Sequence, residues 1–108
     1  MKEAPRGYPA ADEARQAILE NAFIPQMRNL RIDRPAYVSL CGALEELARQ
    51  WRGQDLVDRE TAAALHEIAT TARTVIPTLI RMDPMLRDEL EDMGFTLGTL
   101  VQECFRKE

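Results

Sequence analysis

Apolar residues recur three and four positions apart along most of the chain, and no run of five or more residues alternates with period two, so the pattern predicts helices and no sheet. From Ala11 the stripe Ala14, Ile18 and Ala22, with Leu19 and Phe23 beside it, outlines a first helix. Pro25 should stop or bend it near Ile24, leaving at most a short turn over Gln26 to Leu30. Asp33 is a candidate N-cap with Pro35 in the first turn; behind it Tyr37, Leu40, Leu44, Leu47 and Trp51 form the best amphipathic segment, with Gly53 as its stop. Asp58 should cap a long third helix carrying Leu65, Ile68, Ala72, Val75 and Leu79, which Pro77 should kink or end one turn early.

The cap-and-proline signal returns at Asp83-Pro84, ahead of a short helix over Met85, Leu86, Leu90 and Met93 that should end at Gly94. Thr96 should then open a last helix with Leu97, Leu100, Val101, Cys104 and Phe105 on one face, running out at Arg106-Lys107. The expected fold is therefore all-α: a small antiparallel helical bundle of about five helices, the second and third forming the central pair. Residues 1–9, with Pro5, Gly7 and Pro9 and no periodicity, read as a flexible arm, and 10–108 as one helical domain.

Composition agrees with that picture and narrows it. At 108 residues, 45% hydrophobic and 30% charged, the chain can bury one core and is not charged enough to stay unfolded. A net charge of -4 argues against generic binding to nucleic acid or an anionic membrane surface, both of which need phosphates neutralised by Lys and Arg. No stretch of 18 apolar residues or signal-like N-terminus is present, so the expected location is the cytoplasm. Cys41 and Cys104, each among apolar residues at helical spacing, read as two free buried thiols. Twelve arginines against two lysines fit a GC-rich bacterial or phage genome and imply no mechanism.

No catalytic, cofactor or metal site is expected. His66 is the single histidine, which removes His-pair chemistry, and Cys41 lies on the core stripe rather than in the accessible, electropositive setting an activated thiol requires. Glycine-rich phosphate loops, nucleophile elbows and Cys-x-x-Cys pairs are all missing, so the sequence does not point to an enzyme.

Charge placement says more. Residues 1–54 carry 8 basic and 7 acidic side chains and residues 55–108 carry 6 and 11, making halves of +1 and -5. Arg28, Arg31 and Arg34 recur every three residues around the connection into the second helix, while Asp83, Asp88, Glu89, Glu91 and Asp92 surround Arg87 in the fourth. Such segments serve as solvated faces that pair loosely within the chain, or as docking surfaces for a partner. Neither central helix exposes the basic and amide row of a groove-reading helix.

The function expected from these features is protein-protein interaction, as a small cytosolic regulator, adaptor or inhibitor. A homodimer is expected from the apolar stripes of the second and third helices. The alternative is a ligand-sensing or DNA-associated helical regulator. Pro77, which lies between Thr74 and Thr78 and frees the backbone carbonyl of Arg73, marks where a small-molecule pocket or a partner-helix groove could open.

Overall fold

A computed structural model describes residues 9–52 and 58–106, and they form an all-α fold with no strand among the described residues. The helices are α1 (Pro9–Glu20), α2 (Phe23–Arg28), α3 (Arg34–Trp51), α4 (Arg59–Met82) and α5 (Arg87–Cys104), with one 3₁₀ turn, Pro84–Leu86, between the last two. The expected arm lies largely outside the described residues, although Pro9 already belongs to α1, and the Gly53 stop and Lys107 also lie outside them.

Three aspartates set the helix boundaries as their spacing predicts. Asp33 accepts a hydrogen bond from the Ala36 N–H at 3.0 Å, with Pro35 in the first turn of α3, where a missing N–H leaves nothing unsatisfied. Asp58 accepts from the N–H and hydroxyl of Thr61 at 2.8 and 2.6 Å, which satisfies a threonine that is wholly buried. Asp83 accepts from the Met85 N–H at 3.1 Å and its own N–H donates to the Leu79 carbonyl at 2.9 Å, so one residue closes α4 and opens the turn into α5.

Elsewhere the boundaries differ from the sequence pattern. The first helix breaks at Asn21 rather than near Ile24, because Asn21 accepts from the Phe23 N–H at 2.8 Å and donates to the Ala36 carbonyl of α3 at 3.0 Å. Pro25 then falls in the first turn of α2, where its missing donor is tolerated. That short helix buries Phe23 and Met27 completely, and Phe23 lies 5.3 Å from the Tyr37 ring. Nor does α4 end early at Pro77; it continues to Met82, since Leu79 and Ile80 beyond the proline are buried.

The largest correction concerns Gly94 and Thr96. Neither is a boundary: α5 is one 18-residue helix, and Leu90, Met93, Leu97, Val101 and Cys104 keep a single three-and-four spacing on its buried face. Gly94 is there for packing. A Cβ on it would meet Ile76 Cδ1 of α4 at 2.9 Å, so the absent side chain sets how closely α4 and α5 approach. One turn on, a Cβ on Gly98 would meet nothing within 4 Å.

The pairing of helices also differs from expectation. α5 packs along both α3 and α4, α1 packs along α3, and α3 and α4 make no close backbone approach to each other. The stripes of α3 and α4 that suggested a dimer are buried inside the chain, with Leu40, Leu44, Leu47 and Leu65 at 1% exposure or less. Cys104 of α5 donates from its thiol to the Leu44 carbonyl of α3 at 3.5 Å.

The two glycines of α5 yield a contrast that thermal unfolding can measure. Gly98→Ala should gain about 1 kcal/mol of helix propensity at no steric cost and raise the midpoint by about 4 °C. Gly94→Ala should gain distinctly less or lose stability, because Ile76 must move; equal gains at the two positions would contradict the packing described.

Candidate functional site

The arginines at 28, 31 and 34 do not form one patch. Leu30 adopts a left-handed φ of 63°, with its N–H on the Met27 carbonyl at 2.8 Å and the Arg31 N–H on the Gln26 carbonyl at 2.9 Å, a helix-ending motif that turns the chain between Arg28 and Arg34. Arg28 forms an ion pair with Glu67 of α4. Arg34 holds Glu89 of α5 through two bonds, Nε to Oε2 at 2.5 Å and Nη2 to Oε1 at 2.8 Å. Arg31 stays exposed in the connection. The acidic group is divided as well: Glu91 pairs with Arg87 at 3.3 Å, Asp88 is exposed, and Asp92 lies near enough to α3 to act on Tyr37. Burial above all pushes the Tyr37 hydroxyl up to about 12, with the charge of Asp92 a minor contributor.

The reactive side chains are quiet. His66 is exposed, 3.4 Å from the Thr70 hydroxyl one turn away on α4. Cys41 is only half-buried rather than buried, and burial raises its thiol; Cys104 is fully buried and pushed up to about 12 for the same reason. Neither thiol is activated. No group of three His, Cys, Asp or Glu side chains suited to a metal ion occurs among the described residues.

What the fold does build is a groove of about 700 Å³ between α4 and α5. Its floor is apolar, made by Ala72, Ile76 and Ile80 of α4 with Leu90 and Val101 of α5. Pro77 lies in the α4 wall, and the bare backbone at Gly98 keeps the floor open. Along the rim stand Arg73, Arg81 and Arg87, with Glu91 as the single acidic member, and Phe95 projects from α5 with 76% of its surface exposed. A smaller hollow of about 180 Å³ between α1, α2, α3 and α4 lies beside the Arg28–Glu67 pair.

Of the residues singled out by charge, Arg34 meets Glu89, and only Glu91 and its partner Arg87 reach the groove. The residues that matter there, Arg73, Arg81, Phe95 and Gly98, carry a weaker signal: they lie one and two turns from one another on α4 and α5, visible only once α5 is read through Gly94. Comparison of the chain with protein-family models, with curated proteins and with solved structures finds no match.

The Arg34–Glu89 bridge makes stability pH-dependent. The hydrogen bond from Arg34, more than its charge, holds Glu89 below its ordinary value of 4.5, so its contribution is present above that range and disappears as pH falls through the lowered value. The small difference in urea midpoint between the wild type and Arg34→Ala should therefore persist at neutral pH and shrink as the pH falls below the ordinary glutamate value of 4.5; a difference unchanged by acid would count against the bridge. Thiol reagents at about pH 7.5 should label the folded protein slowly, Cys41 ahead of Cys104, with both reacting at the free-thiol rate only after unfolding.

Proposed function

We propose that the protein is a cytoplasmic helical interaction module that works as a small regulator, adaptor or inhibitor by holding another protein in the groove between α4 and α5. The observation that carries this reading is the groove itself, an apolar trough rimmed by three arginines on a chain whose net charge is -4. Water gains by leaving such a floor, at about 25 cal/mol per Å² of apolar surface covered, and the rim gives a partner both steering and register. From Ala69 to Arg81 the α4 wall runs for about 18 Å, the length of roughly three turns of a docked helix.

A second reading, a ligand-sensing regulator, is favoured by the groove's volume, which falls in the range of small-molecule pockets. The DNA-associated alternative has less behind it, since these arginines border an apolar trough rather than form a convex basic face.

Gly98→Leu tests the proposal, because the new side chain fills the groove from a position with nothing within 4 Å. Native mass spectrometry of protein isolated from its own host should find a second polypeptide in fixed ratio with the wild type and none with Gly98→Leu. That complex should survive a rise in salt from about 50 to 200 mM, which would dissolve a phosphate-driven one. A small mass lost on the same substitution would support the ligand-sensing reading instead, and a partner retained by Gly98→Leu would remove the groove from the function.

A further inference from the structure

We infer that the occupant of the groove is an amphipathic helix with acidic residues at both ends of its apolar face. This rests on the reading of the groove as a protein-docking site and adds the chemistry of the partner.

The argument comes from where the charges stand. Arg73 is at one end of the groove, across from Val101 and Gln102, while Arg81 and Arg87 are at the other, next to the turn that joins α4 to α5. Glu91, bonded to Arg87 at 3.3 Å, offsets one of the positive charges at the turn end. Among the residues that line the groove each end thus carries about one net positive charge, Asp83 and Asp88 at the turn lying outside the lining, and the two centres on α4, eight residues apart, are separated by about 12 Å of helix. A guanidinium on an apolar lip favours a carboxylate that can take two of its N–H groups. Carboxylates seven or eight residues apart on one helix face match that separation, and the apolar residues between them, three and four positions apart, lie over Ile76, Ile80 and Leu90.

Phe95 and the turn complete the surface. The Phe95 ring stands on the α5 lip with most of its surface free to close over an inserted side chain, as aromatic anchors do at helix-binding grooves. Met82 and Met85, 61% and 90% exposed in and beside the turn, add flexible apolar contact near the Arg81 end. A second copy of this chain is a poorer match, because a two-fold contact between grooves would set three arginines against three with only one glutamate from each copy.

The test uses the full-length protein and two labelled helical peptides of about 18 residues. Both carry leucine or phenylalanine at i, i+3 or i+4, and i+7; one has glutamates flanking that face and its twin has lysines. Fluorescence anisotropy should show the glutamate peptide binding about tenfold or more tightly than the twin. Arg73→Ala and Arg81→Ala should each weaken the glutamate peptide severalfold without weakening the lysine peptide. The double variant Arg73→Glu/Arg81→Glu should reverse the preference. Both positions are exposed, and an unchanged helical circular dichroism spectrum of the three variants verifies the fold.

Equal binding of both peptides, lost with Gly98→Leu, would overturn the acidic-helix inference and leave the groove as a docking site. Binding that ignores Gly98→Leu, or no binding by either peptide, would overturn both. A dimer in sedimentation that Gly98→Leu dissociates would replace the acidic helix with a second copy of the chain.

Discussion

Helix α5 has to lie against α3 and α4 at once, because those two helices do not approach each other, and the rest of the architecture follows from how it does so. Its buried face is one narrow row, Leu90, Met93, Leu97, Val101 and Cys104, and a row of that width cannot seal two full interfaces. The close approach to α4 is made where Gly94 has no side chain to hold Ile76 away. On the side away from α3 the helices part again around Gly98, and the groove is the space that remains. The groove is thus a by-product of the same contact that holds the hairpin together.

Much of the fold was legible in the order of residues because local chemistry decides it. Asp33, Asp58 and Asp83 each bond to a backbone N–H two or three positions on, and such signals survive without knowledge of the rest of the chain. The misreadings occurred where tertiary packing overrides local preference. Gly94 resembles a stop, yet its conformation is helical and its role is to admit Ile76; Asn21 breaks a helix because a carbonyl 15 residues away accepts its amide. Pro77 interrupts one hydrogen bond, and the burial of Leu79 and Ile80 outweighs that loss.

The groove was legible only in outline. Pro77, where a proline in a long helix marked a place for a pocket to open, lies in the wall of the groove. The regular spacing of Arg28, Arg31 and Arg34 suggested a single basic face, but with a left-handed Leu30 between them Arg28 pairs with α4 and Arg34 with α5, while Arg31 stays exposed. The arginines that rim the groove are eight residues apart on α4, or on another helix altogether, and no linear spacing gathers them. Pairs such as Arg34 with Glu89, 55 residues apart, become visible only when the fold brings their helices together.

Asp83 bears on the order in which the molecule assembles. Its N–H, carbonyl and carboxylate are all engaged within four residues on either side, by Leu79, Met85 and Leu86, so the reversal from α4 to α5 needs no help from elsewhere in the chain. Closing so short a loop carries little entropic cost and takes far less time than bringing distant segments together. The α4–α5 pair, and with it the groove, therefore rests on contacts local in the sequence, whereas α3 covers the other side of α5 through contacts between distant segments. On a ribosome, where residues emerge from the N-terminal end, α3 is made before the α5 face that it packs against.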